Sequence, residues 1–289
     1  MISALEGKKL LINNLLDGQG FVQVIDVGPN LIEEGRTPEH FAAMAARISY
    51  DGTTKTVKAD KGLIEFLVRN QHTSPLEMCN ITFCLKLPIA ICRQLLRHRT
   101  GKFNELSTRY TKISEDIGRF HLNKYEKTMR GPSEINHQAS DYNLTQEQIK
   151  EINILIDEQE KLQNKVFEGY NNLIKAGLTK ELARFYLPVS TYTKIFVQFD
   201  LNNLVKFIRL RIADDAQEEI ACYARAMLEL SHQFFPVTLE VFDQYKGALY
   251  LGIYEKQMIK EKKIPNEVTS RSHRAALQKL AKELNIELT

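Results

Sequence analysis

At 289 residues the chain is long enough for one large domain or two small ones, and for a substantial core. Hydrophobic residues make up 43% and charged residues 26%, the ordinary balance of a soluble globular protein. The net charge of +3, with a pI near 8.5, is too mild to make nucleic acid the main partner, so any basic site has to be local.

No apolar run approaches membrane-spanning length, and Met1 to Lys8 lack the positive region, apolar stretch and cleavage site of a secretory signal. The sequence therefore reads as cytoplasmic, with no membrane partner. Cys79, Cys84, Cys92 and Cys222 form no CxxC pair, and three of them lie in apolar surroundings. They are expected as buried free thiols of a reducing compartment, and a catalytic thiol would lack a local base.

In chain order, Phe21 to Val27 is β-rich and closed by Gly28-Pro29, which predicts a strand and turn. Thr37-Pro38-Glu39 opens a helix through about Ile48, with threonine as cap and proline at the first position. A second helix runs from Asp60 to Gln71. Ile81, Phe83, Leu85 and Leu87 alternate with Asn80, Thr82, Cys84 and Lys86, the period of a half-buried strand. Pro88 then starts a short helix in which Ile89, Cys92 and Leu96 are expected to face the core.

From about Tyr110 to Tyr142 the sequence turns polar and irregular and reads as a surface excursion, an insertion near 112–143. Thr145 and Gln148 form a capping box for a long helix with a face through Ile152, Leu155, Ile156, Leu162, Val166, Tyr170 and Leu173, ended by Gly177. Further helices are expected from Lys180 to Leu187, Asn203 to Arg211 and Ala216 to Phe234, with a strand at Phe196 to Phe199. From Glu255 the tail is charged and mostly exposed, with one or two amphipathic turns around Leu277, Leu280, Ala281 and Leu284. These elements make an α+β chain with a modest antiparallel or mixed sheet and long helices: one catalytic domain over 1–250 and a charged extension over 251–289.

The densest chemistry is Arg97-His98-Arg99, seven residues, then Ser107-Thr108-Arg109. Planar guanidinium forks suit bidentate capture of phosphate or carboxylate. On its own such a run is usually a solvated basic face or a non-specific nucleic-acid contact. Here it ends a core-anchored helix and enters a polar loop, Thr100 to Leu106, which points to an anion site. Arg184, in an apolar helix, either snorkels to solvent or is held by an anion. In Phe207 to Arg211, Arg209 and Arg211 cannot share a face, so at most one enters a pocket. Asp214, Asp215, Glu218 and Glu219 fit capping charges better than metal ligands, and no metal signature, P-loop or GxGxxG is present. A nucleic-acid module built on Arg93, Arg97, Arg99 and Arg109 is disfavoured by the mild charge and by the lack of interleaved aromatics.

The RHR-x7-SxR pattern, with Ala45 to Tyr50, His72 to Glu77, Arg93-Gln94, Asn104 to Ser107, Glu181 to Arg184, Leu210-Arg211 and Ala216-Gln217, resembles the flavin-dependent thymidylate synthases from about Phe21 to about Tyr245. The resemblance implies that family's single-domain fold and reductive methylation of dUMP to dTMP, with FAD as cofactor and methylenetetrahydrofolate and NADPH as co-substrates. It assigns Gln94, Arg97, Glu105, Leu106, Ser107, Thr108, Arg109, Arg184 and Arg211 to dUMP, Arg211 being the catalytic residue that favours the ionised uracil. It assigns His72, Ser74, Arg97, His98, Arg99, Glu105 and the places of Asp200, Asn202 and Lys206 to the flavin, and implies a homotetramer with shared active sites. The flavin side departs from the family pattern: Asp200, Asn202 and Lys206 are unusual, and Ile212-Ala213-Asp214-Asp215 replaces Ala-Asp-x-His. A product other than methyl, such as hydroxymethyl, is the alternative that these departures raise.

Overall fold

A computed structural model describes residues 2–33, 35–49, 52, 56–113, 117–134, 140–213, 215–244 and 252–288. The chain divides into two compact units, Met1–Gln244 and Tyr245–Thr289. The boundary read from the sequence at 250–251 lies outside the described residues.

Among its described residues the first unit has nine strands: β1 (Ile2–Ser3), β2 (Leu11–Leu15), β3 (Gly20–Gly28), β4 (Leu31–Ile32), β5 (Asn80–Pro88), β6 (Lys102–Glu105), β7 (Gly131–Pro132), β8 (Ser140–Asp141) and β9 (Tyr192–Asp200). Five of them form a sheet in the order β2-β3-β5-β9-β6 with every pairing antiparallel, and β1/β4 and β7/β8 are separate two-stranded ribbons. The long β5–β9 ladder runs without slip from Asn80 opposite Asp200 to Pro88 opposite Tyr192. Only Phe196 to Phe199 announced β9 in the sequence; its pairing partner extends it to nine residues.

Alternation fixes which face is covered. Ile81, Phe83, Leu85 and Leu87 meet Ile195, Val197 and Phe199 on a fully buried face. Helices α6 (Leu201–Arg211) and α7 (Glu218–Ser231) contribute Leu204, Phe207, Ile208, Tyr223 and Met227 to that same core. The Tyr223 hydroxyl donates to the Lys86 carbonyl at 2.7 Å, and a Cβ on Gly20 would collide with it. Glycine at the start of β3 is therefore a packing requirement.

Helix α1 (His40–Ile48) begins later than the sequence suggests. Thr37 does not cap it: its amide donates to His40 Nδ1 at 2.9 Å, and residues 38 and 39 form a turn. The buried Glu39 carboxylate instead accepts the amides of Val237 and Thr238, both at 2.8 Å, and so caps α8 (Pro236–Gln244), a helix that no local signal announced. Helix α2 (Val57–Arg69) starts three residues before Asp60, because Thr56 supplies the cap. Asp60 is wholly buried and bridges Arg36 and Arg47.

Helix α4 (Gln146–Lys175) has the capping box that its sequence predicts. Its apolar face is another matter. Tyr170 is buried, but Leu155, Leu162 and Val166 stay exposed within one chain. The segment before it is less superficial than its polarity suggests. Ile113, Ile117 and Tyr125 are buried, and buried Arg119 pairs with Glu160 and donates to Asn164 Oδ1 at 2.9 Å. One arginine thus pins an irregular polar segment to α4. The second unit holds α9 (Ile253–Glu261) and α10 (Arg271–Glu283), more order than the charged tail suggested, around a core of Met258, Ile264, Val268, Leu277, Leu280 and Ala281.

Candidate active site

Pro88 ends β5 in an extended conformation and caps α3 (Ile89–Leu95). The buried face of this helix is Ile91, Cys92 and Leu95, rotated from the Ile89–Cys92–Leu96 face read from the sequence; Leu96 is 37% exposed. The rotation leaves Arg93 and Arg97 exposed and Gln94 half-buried. Past the helix the chain folds back at once. The His98 amide donates to Leu95 O at 3.1 Å and the Gly101 amide to His98 O at 2.9 Å. A Cβ on Gly101 would stand 2.7 Å from both the Phe103 and Phe199 rings, so only glycine lets this turn enter β6.

Arg211 comes to the same turn from the end of α6. Its Nε donates to His98 Nε2 at 2.9 Å and its Nη2 to the Gln94 carbonyl at 3.1 Å. The His98 ring stands edge-on to Phe207, centroids 4.8 Å apart. Burial, and then the Arg211 charge, push His98 down to about 4. The imidazole is therefore neutral near pH 7 and can accept from a cation. Burial, and then Arg97, lower the Arg211 pKa. The Gln94 side-chain amide donates in turn to Gln217 Oε1, a partner that nothing in local spacing singled out.

A second cluster lies beyond β6, which at about 3.3 Å per residue separates the two by roughly 13 Å. The Leu106 amide donates to Lys194 O at 2.8 Å, prolonging the ladder, and Ser107 O accepts the amides of Tyr110 and Thr111 in a tight turn. Helix α5 (Lys180–Ala183) and the 3-10 turn Arg184–Tyr186 pack beside it. Arg184 Nη1 donates to Thr108 Oγ1 at 3.3 Å, Arg109 Nε to Glu181 Oε2 at 2.9 Å, and Lys180 Nζ to Tyr110 O at 2.9 Å. Three cations thus flank one hydroxyl-bearing turn, with Glu181 as a partner. Lys180 is an addition that the spacing of Arg109 and Arg184 could not supply, and Glu181, which the sequence offered only as part of the Glu181 to Arg184 match, gains a partner here. Near this turn, Glu105, Leu106, Cys84, Lys194 and Phe196 line a cleft of about 290 Å³ on the open sheet face.

The remaining residues divide by how they are engaged. Arg97, Arg99, His72, Ser74, Glu105 and Lys206 are exposed. The side chains of Arg97 and Arg99 make no hydrogen bond or ion pair to a described residue, their amides donating to Gln94 O and Arg97 O, and His72 touches Phe66 edge-on at 5.5 Å. Asp200 and Asn202 are committed inside the protein. Asp200 caps α6 by accepting the Asn203 amide at 2.9 Å, and Asn202 donates to Glu77 Oε1 at 3.0 Å. Glu218 and Glu219 sit in the first turn of α7, where Glu218 pairs with Lys127 and Arg225 and Glu219 with Arg130. Tyr50 and Asp214 lie outside the described residues. Among the described residues no group of three His, Cys, Asp or Glu could hold a metal.

Residues 30–237 match the family model described as thymidylate synthase complementing protein. Flavin-dependent thymidylate synthases of Dictyostelium discoideum and Thermus thermophilus are similar to the chain. The first is 38% identical over 226 residues, 78% of this chain and 72% of that protein. The second is 35% identical over 259 residues, 84% and 91%. The chain belongs to the flavin-dependent thymidylate synthase family. Among solved structures it is similar to a UMP/dUMP methylase, PolB, from Streptomyces cacaoi bound with 5-Br dUMP, with TM-score 0.65 and 26% identity over 78% of this chain and 96% of that one. The family match spans both basic clusters and ends before α9.

The His98–Arg211 contact makes a prediction about titration. The folded His98 pKa lies below its ordinary 6.5, so the unfolded chain binds the proton first as pH falls. The stability tied to neutral His98 is intact above about pH 6.5 and is lost progressively toward pH 4. In NMR the His98 ring should titrate near 4, and Arg211→Ala should raise that value without restoring 6.5, because burial is the larger cause. A His98 that titrates normally in both proteins contradicts the contact.

Proposed function

We propose that this enzyme converts dUMP to dTMP by flavin-dependent reductive methylation, with methylenetetrahydrofolate as carbon donor and NADPH as reductant through FAD. The observation that carries the proposal is the Arg211 guanidinium held by a neutral histidine at the RHR turn. Carbon 5 of uracil is a weak nucleophile until the ring gains electron density. A permanently charged guanidinium at the ring edge favours the ionised ring and needs no covalent help. The thiols support this route: burial pushes Cys79, Cys92 and Cys222 up to about 12 and raises Cys84, so none is a ready thiolate for attack at carbon 6.

Ser107, Thr108, Arg109 and Arg184 would take the phosphate, with Gln94, Arg97, Glu105 and Leu106 orienting the nucleotide. Arg97 and Arg99, whose side chains are exposed and unpaired among the described residues, together with exposed His72 and Ser74, His98 and Glu105, suit the flavin's phosphates and ring edge. Lys206 is exposed and fits the same side. Asp200 and Asn202 act through the α6 terminus, since their polar groups are engaged. When bound, the flavin supplies the hydride that reduces the transferred one-carbon unit. Free thiols throughout suit a cytoplasmic setting, and no described helix is long and apolar enough to cross a membrane.

The assembly we propose is a homotetramer with shared sites. The exposed Leu155, Leu162 and Val166 stripe and an apolar groove of about 520 Å³ between α4 and Tyr186 offer a face for a second copy. Light scattering at micromolar concentration should read four subunits; a monomer would contradict this assembly.

Steady-state kinetics tests the chemistry. Arg211→Lys keeps the charge and loses the planar fork, so turnover should fall about 100- to 1000-fold with dUMP affinity little changed. Arg184→Lys should act mainly on KM, since a phosphate contact is made equally in ground and transition states. Mass spectrometry should find the methyl product, whereas a hydroxymethyl product would favour the alternative raised by Asp200, Asn202, Lys206 and Asp215. Unchanged turnover in Arg211→Lys would remove the role given to that residue.

A further inference from the structure

The mild net charge of the chain conceals an uneven distribution. Tyr245–Thr289 holds nine Lys and Arg against five Glu and no Asp, while Met1–Gln244 holds thirty against thirty-one acidic residues. All of the net positive charge therefore belongs to the small second unit. That unit lies beyond the family match, which ends at residue 237, and has its own apolar core. Its charge is also ordered. At 3.6 residues per turn, Arg271, Arg274, Ala275, Gln278, Lys279 and Lys282 fall within an arc of about 140° on α10. All six are exposed, and the arc contains no acidic, aromatic or bulky apolar residue. Leu277, Leu280 and Ala281 are turned into the core, and His273 is paired with Glu255 at 3.2 Å away from this arc.

We propose that this face of α10 binds duplex DNA, independently of the reaction in the first unit. A 13-residue helix is about 20 Å long and 10–12 Å across, the width of the B-form major groove. The arginine forks and lysines would meet phosphates along the groove walls. Ala275 lets the helix approach closely, and the Gln278 amide carries the donor and acceptor that suit a base edge. The alternatives lack their usual counterparts on this face. Single strands want aromatic stacking platforms, A-form RNA has a major groove too narrow for a helix, and membrane surfaces want bulky apolar side chains opposite the cations.

The test is fluorescence anisotropy of a labelled 24-base-pair duplex titrated with the full-length protein between 50 and 200 mM salt. Four phosphate contacts per bound unit predict a log–log salt slope of roughly −3.6, at about 0.9 per contact. The triple variant Arg271→Gln, Arg274→Gln, Lys282→Gln should weaken binding at least about tenfold at 50 mM salt and flatten the slope to roughly −0.9, with circular dichroism and dUMP turnover unchanged. Arg93→Gln, on the first unit, should leave DNA binding as in the parent. Absence of binding by the parent at 50 mM salt overturns the proposal. So does a triple variant that binds as the parent does, loss on Arg93→Gln equal to that of the triple variant, or tighter binding to a single strand, to anionic vesicles or to a poly-glutamate peptide.

Discussion

The guanidinium of Arg211 is the constraint around which the first basic cluster is arranged. A cation partly withdrawn from water needs acceptors, and here they are a neutral imidazole and a backbone carbonyl in place of a carboxylate. The difference matters chemically. A carboxylate partner would neutralise the guanidinium, whereas His98 fixes its direction and leaves its charge for a ligand. The arrangement holds only while His98 is uncharged, and burial against Phe207 beside a permanent cation keeps it so.

The sheet explains why residues 113 apart in sequence meet. Strands β5 and β9 are antiparallel and in unbroken register, so α3 leaves one end of the ladder and α6 leaves the other. The 11 residues of α6 run back about 16 Å, which carries Arg211 toward the turn after α3. Phe207, one turn earlier on α6, packs against His98 and stacks on Phe199 of β9, so the imidazole rests on the hydrophobic core. Gly101 then lets the chain pass those rings into β6, which delivers Ser107 to Arg109 to a second cationic cluster. A single core thus sets the distance between two charged sites.

What the sequence disclosed follows the range of the interactions involved. The capping box of α4, the alternation of β5 and the RHR-x7-SxR spacing are local, and each could be read from a few neighbouring residues. The facing of α3, the start of α2 and the existence of α8 depend on partners far along the chain: Thr56 overrides Asp60, and Glu39 caps a helix almost 200 residues away. The Arg211 assignment came from resemblance, while its partner His98 is visible only in three dimensions. Polarity misled between Tyr110 and Tyr142 because one buried arginine, with Glu160 and Asn164, satisfies a segment that looks solvated. Net charge averages a nearly neutral body with a basic terminal unit, so it does not disclose where the charge lies.

The account stands most directly on the ionisation of the bound pyrimidine ring. Ultraviolet difference spectra of dUMP bound to the protein, recorded across pH, report the proton at ring nitrogen 3. The bound ring should titrate well below the free nucleotide, and His98→Phe should abolish most of that shift, because Arg211 would keep its charge but lose its direction. A bound ring that titrates like free dUMP in the parent protein would contradict the central role given to the His98–Arg211 pair.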